Sequence, residues 1–152
     1  MSNILQTKVD TMEHIHRVQH YINKIIRELI DRAEVHDTSK LESPELEGFA
    51  EAKEKLANVE YNSDEYKKLL DDLKPTIDHH YSKNSHHPEF YKNGIDDFDL
   101  LDLLEMFADW AAASERNKNG NLNKSIESNA KRFNMSSQLV NIFENTVRFI
   151  HD

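Results

Sequence analysis

Histidine and carboxylate are the side chains through which this sequence could do chemistry. It holds 9 His, and eight of them fall between residues 14 and 87. Imidazole nitrogen and carboxylate oxygen are ordinary ligands of Zn, Mn, Fe, Co and Ni. His36-Asp37 can address one cation from adjacent positions if the backbone turns between them, although Asp37-Thr38-Ser39 can equally be read as turn and cap chemistry. The densest stretch runs from Asp78 to Glu89 and puts four His within nine residues: His79, His80, His86 and His87. Protonated, these rings would repel one another. Their crowding makes sense if a metal keeps them neutral, whereas the plainer reading is an exposed polar loop.

Two further groups follow from helix arithmetic at about 100° per residue. His14 projects to the same side as Val18, Tyr21, Ile25 and Leu29, while His16 and His20 project to the polar side. This makes His14 a candidate ligand, weighed against a core histidine satisfied by a hydrogen bond. Asp102, Glu105 and Asp109 form a narrow acidic strip, with Leu100, Leu103, Leu104, Phe107 and Ala111 opposite and Leu101 and Met106 flanking it. Carboxylates on a mostly apolar helix need partners, because unpaired buried charge is costly. A metal is one such partner, and a solvated charged face is the alternative. Lys40, Lys83, Asn84 and Arg17 lie beside the proposed ligands and could contact phosphate, or could simply be surface residues. There is no Gly-rich phosphate loop, no nucleophile elbow and no His-Glu-x-x-His pair.

These residues need elements to hold them. The chain has 152 residues, which suits one domain, and only 3 Gly and 3 Pro, which with its Leu, Ala, Glu and Lys content favours helix. The expected fold class is all-α: a compact single-domain bundle of about six helices covering 1–152. A first helix is expected over Val9–Ala33. The second is capped by Ser43, has Pro44 at its first position and runs to about Asn58. The third is capped by Ser63 or Asn62, runs to about Tyr81, and is kinked or restarted at Pro75. A polar loop over 82–96, a helix over Asp97–Arg116 and a loop over 117–123, expected to be flexible, come next. A short helix to Phe133 and a last one over Ser136–Ile150 complete the chain. The last helix's Leu139, Ile142, Phe143, Val147 and Ile150 could pack within the domain or on a second copy, so a homodimer is one expectation.

Composition narrows the function classes. There are no cysteines, which removes disulfides, thiolate metal sites and Cys nucleophiles. A net charge of -9 disfavours the phosphate backbone of nucleic acid duplexes. No stretch has the roughly 18–20 apolar residues of a membrane span, and the N-terminus lacks the apolar region of a signal peptide. No membrane association and a cytoplasmic location are therefore expected.

The ordered set His14, His36-Asp37 and Asp109, with Lys40 trailing the His-Asp pair, resembles the signature of the HD-domain superfamily of metal-dependent phosphohydrolases. The strings HDTSK, HHYSKNSHHPE and LEMFADW are similar to those of a family of small phage and bacterial proteins, over roughly residues 10–150. The resemblance implies an HD-like helical fold holding one or two divalent ions, with His14, His36, Asp37, His80, His86, His87 and Asp109 as ligands. It leaves open which member of each His-His pair binds. Compared with ordinary HD phosphohydrolases, the second His segment is shorter and denser. The implied activity is hydrolysis of a nucleotide or other small phosphoester, with Asp37, Glu105 and Lys40 in catalytic roles and Lys40, Lys83, Asn84 and Arg17 binding substrate. Glu105 would support a ligand or accept a proton. Alternatives are a diiron oxygenase of the same superfamily, or a non-catalytic phage-type protein that sequesters a nucleotide or a host partner.

Overall fold

The computed structural model describes residues 3–56, 59, 63–116 and 120–150. Its regular elements are six α-helices joined by short 3-10 turns, with no strand among the described residues. The chain is all-α. It divides into two units, one ending at Val35 and the other running from His36 to the C-terminus.

The first unit is essentially one helix, α1 (Asn3–Val35). It begins earlier than the expected Val9. No Gly or Pro interrupts these 33 residues, so nothing in the backbone chemistry stops the helix.

The second unit carries α2 (Glu45–Leu56), α3 (Asp64–Lys83), α4 (Leu100–Glu115), α5 (Leu122–Arg132) and α6 (Ser137–Thr146). Ser63 caps α3, its side chain accepting from the Tyr66 N–H. The alternative cap at Asn62 and the expected end of the second helix at Asn58 lie outside the described residues. α3 continues through Pro75 as a single helix; the residue is on its exposed side, where a carbonyl freed by the missing N–H can be solvated. The segment expected as a loop over 82–96 is ordered by 3-10 turns at Pro88–Phe90 and Gly94–Asp97. Of the loop expected over 117–123, residues 117–119 lie outside the described residues, and α5 already begins at Leu122 with Asn121 as its cap.

The apolar core of this unit joins α4, α5 and α6. Met106, Phe107, Trp110 and Ala111 bury against Leu122, Ile126 and Phe143. The Phe107 and Phe143 rings stack at 5.5 Å. α4 is therefore rotated relative to the simple two-sided expectation: Leu100 and Leu104 are exposed, while Met106 and Trp110, next to the acidic strip, are buried. The reason is that α4 has two occupied sides. One packs on α5 and α6, and the other presents Asp102, Glu105 and Asp109 to polar partners.

α2 packs along α3 at Gly48. A Cβ there would fall 2.2 Å from Thr76 Oγ1 and 2.8 Å from Thr76 Cγ2, so only glycine permits this approach. One turn further along this interface, Glu45 reaches His79 and His80.

Candidate metal centre

Seven side chains from four parts of the second unit form overlapping groups whose donor atoms lie within 4.8 Å of one another: Asp37, His80, His86 and His87; His36, His86 and Glu105; and His36, Asp37 and Asp109. Each is delivered by a distinct local device.

His36 and Asp37 follow the end of α1. Asp37 has φ 56°, in the left-handed region, which Asp tolerates better than most residues. The turn lets the two neighbours address one centre. His36 Nε2 lies 3.5 Å from Asp37 Oδ2, and Asp37 Oδ1 points to His80 Nε2 at 3.3 Å and His86 Nε2 at 3.5 Å. The two carboxylate oxygens thus face different histidines. Lys40, three residues on, donates to Asp37 Oδ2.

His80 comes from the last turn of α3 and is buried. His86 and His87 come from the turn that follows, and the Nε2 atoms of His80 and His87 approach to 2.9 Å. That turn is tied down by the buried Asp102. Its carboxylate accepts from the Ser85 hydroxyl at 2.9 Å, the Tyr91 hydroxyl at 2.9 Å and the Asp99 N–H at 3.1 Å. With Asp99 it closes a capping box at the start of α4. Asp102 is thus neither a solvated residue nor one of the converging donors. It fixes the turn that carries His86.

Glu105 and Asp109, one turn apart on α4, complete the set. Glu105 Oε1 sits 2.9 Å from His36 Nδ1 and 3.1 Å from His86 Nδ1. Glu45, fully buried at the start of α2, plays the matching part on the other side. Its Oε2 lies 2.8 Å from His80 Nδ1, its Oε1 lies 2.9 Å from His79 Nδ1, and the Ser39 hydroxyl donates to it at 3.0 Å. A carboxylate on Nδ1 fixes the tautomer of a histidine and turns a bare Nε2 lone pair toward the centre. Three of the histidines are held in this way.

Without a cation, the electrostatics divide these histidines. The Asp109 and Glu105 carboxylates beside His36 raise its pKa to about 10. Burial pushes Glu105 up, but the hydrogen bonds from His36 and His86 outweigh it and bring Glu105 down to about 2. Burial, together with the neighbouring His86 and His80, lowers His87 to about 3, so this ring is neutral at ordinary pH. Burial likewise lowers His80. Asp37 is raised by burial but lowered further by Lys40, and ends below its usual value.

One observation bears directly on whether a cation fits. Asp37 Oδ1 and His86 Nε2 are both buried and make no hydrogen bond among the described residues. Buried polar atoms of this kind are rare and costly. Here they are an anionic oxygen and an imidazole nitrogen, flanked by the Nε2 atoms of His80 and His87. This is a donor set that suits a divalent transition ion.

Over residues 3–149 the chain matches a family described as Family of unknown function (DUF5662). The chain belongs to that family. No curated protein and no solved structure matches it.

In this DUF5662 chain the sequence-predicted residues separate by place. His36, Asp37, His80, His86, His87 and Asp109 converge, and Glu105 lies beside them. His79 turns outward, bound to Glu45, with 35% of its side chain exposed. His14 and Arg17 lie on α1 in the first unit, and the converging groups draw only on the second. Asn84 donates to the His80 carbonyl at 2.8 Å and to Ser39 Oγ at 2.9 Å, which makes it a brace between α3 and the 3-10 turn Thr38–Leu41. Lys83 is exposed at the end of α3. Glu45 was missed from sequence. It reads there as an ordinary acidic residue in a first helical turn, and its only signal is its place directly after Pro44.

Proposed function

We propose that this chain is a metal-dependent phosphohydrolase acting on a nucleotide or another small phosphoester, with one or two divalent ions held by His36, Asp37, His80, His86, His87 and Asp109. The observation that carries the metal reading is the pair of buried, unpartnered donors, Asp37 Oδ1 and His86 Nε2, amid converging imidazoles. The resemblance of the ordered set His14, His36-Asp37 and Asp109, with Lys40 trailing the pair, to the HD-domain signature supports the choice of hydrolysis.

Bound ions would lower the pKa of a coordinated water and neutralise charge on phosphate oxygens. The protein's own groups have separable tasks. Asp37 presents one oxygen to His36 and the other to His80 and His86, and would help to hold the ions. Glu105 and Glu45 orient the histidines through Nδ1. Lys40, which pairs with Asp37, would steady a phosphoryl oxygen. Expectations of a cytoplasmic location and of a homodimer rest on sequence alone.

The test is metal analysis of the purified protein, followed by a phosphate-release screen over nucleotides and small phosphoesters with Mn, Fe, Zn, Co and Ni. Asp37→Asn is the informative variant, because Asn also tolerates positive φ. It should keep the fold and lose both metal and turnover. Full metal content in Asp37→Asn sinks the assignment. Oxygen consumption by an iron-loaded protein, without phosphate release, would replace hydrolysis with oxidation.

A further inference from the structure

Arg132 is joined to the histidine cluster through Tyr81. It stands at the end of α5, and its Nη2 donates to the Tyr81 hydroxyl at 3.2 Å and to Glu89 Oε1 at 2.6 Å. Its guanidinium also lies 4.7 Å from the centre of the Phe133 ring. Tyr81 in turn packs its ring 4.7 Å from that of His87, and His87 Nε2 faces His80 Nε2 within the donor set. One tyrosine therefore separates a permanent cation from the metal-facing histidines. About half of the Arg132 side chain, 52%, is exposed, so its remaining N–H groups can reach a ligand. Three contacts fix its orientation, which limits the entropy lost when it binds.

We infer that Arg132, positioned by Tyr81 and Glu89, is an anion-binding residue that selects substrates carrying a second anionic group beside the phosphoryl group held at the metal centre. The inference rests on the metal-centre reading above and adds the substrate class. A planar guanidinium binds paired phosphate or carboxylate oxygens in a forked geometry. Lys40 touches Asp37, while Arg132 is linked to His87 through Tyr81. A monoester held at the metal centre brings Arg132 no anion of its own, whereas a polyphosphate, or a phosphoester that also carries a carboxylate, brings it a second group. Glu89 restrains the guanidinium and offsets part of its charge, which weakens the binding of single anions.

The experiment titrates the manganese-loaded full chain with orthophosphate and with pyrophosphate by calorimetry, after a separate manganese titration. Pyrophosphate is expected to bind about tenfold or more tighter than orthophosphate, the size of one charge-assisted contact. Arg132→Gln should reduce that preference by about tenfold while leaving manganese affinity unchanged. Arg132→Lys should retain part of it, and Glu89→Gln should increase it. A phosphorylated carboxylic acid and its methyl ester, run as a second pair, distinguish a carboxylate from a second phosphoryl group as the partner of Arg132. A pyrophosphate preference unchanged in Arg132→Gln overturns the inference and leaves the metal centre standing. If manganese does not bind the unaltered chain, both readings fall together.

Discussion

Glu45 Oε2 lies 2.8 Å from His80 Nδ1, joining the first turn of α2 to the last turn of α3 across 35 positions of sequence. Both side chains are buried, and neither has water to replace its partner. The contact therefore bears on both stability and the donor character of His80.

Glu45→Gln should weaken metal affinity by about 10- to 100-fold, the range found for carboxylates that orient ligating histidines. A neutral amide can hold the ring, but it cannot enrich the Nε2 lone pair. Glu45→Ala should also cost about 3 kcal/mol in folding stability, because it strands buried polar groups of His80 and Ser39. Metal titration and chemical denaturation of the metal-free protein separate the two effects. Unchanged metal affinity in Glu45→Gln would show that Glu45 is structural only.

Gly48→Ala should destabilise the protein by about 1–3 kcal/mol, since the new methyl would overlap Thr76 and push α2 from α3. Glu45 moves with α2, so metal affinity should fall as well. Adding Thr76→Ala, which removes both Oγ1 at 2.2 Å and the methyl at 2.8 Å, should recover part of both losses. Thermal melts with and without metal test this, and a double variant no better than Gly48→Ala counts against the steric account.

Asp102→Asn should loosen the turn that carries His86 and His87. The capping box and two hydroxyl contacts depend on its carboxylate, and losing a cap of this kind costs about 1 kcal/mol. Faster amide exchange across residues 84–91, with the α5–α6 core still protected, is the expected pattern. Uniform loss of protection would mean a global effect instead.

The metal-free protein should be most stable near pH 6.5. His36, raised from 6.5 to about 10 by Asp109 and Glu105, contributes stability that is complete below 6.5 and disappears as pH climbs toward 10. Glu105, brought down from 4.5 to about 2, contributes stability above 4.5 that is lost as pH falls toward 2. His87, lowered by burial from 6.5 to about 3, destabilises the fold as pH drops below 6.5, because the unfolded chain takes up the proton first. Denaturation midpoints of chelator-treated protein between pH 4 and 10 should therefore fall on both sides. A flat profile from 6.5 to 10 would remove the His36 ion pair from the account.

Much of this protein was determined by local chemistry, which a sequence displays. The sparse Gly and Pro, the Ser63, Asn121 and Ser136 caps and the apolar periodicity produce an all-α chain of six helices. The sequence singles out His14, His36, Asp37, His80, His86, His87 and Asp109 as candidate ligands; all but His14, which lies on α1, converge in the second unit. What only tertiary structure decided is which atoms face which. His79 and His80 are adjacent in sequence and both meet Glu45 of α2 through Nδ1, yet His80 is buried and His79 is 35% exposed. Asp102, Glu105 and Asp109 share one helical strip, but their surroundings divide them into a cap, an orienting carboxylate and a donor. Glu45, marked in the sequence only by its place after Pro44, and Arg132 depend on partners 34, 35, 43 and 51 positions away. Periodicity and capping act over a few residues, whereas a binding centre depends on contacts that form only when distant segments pack.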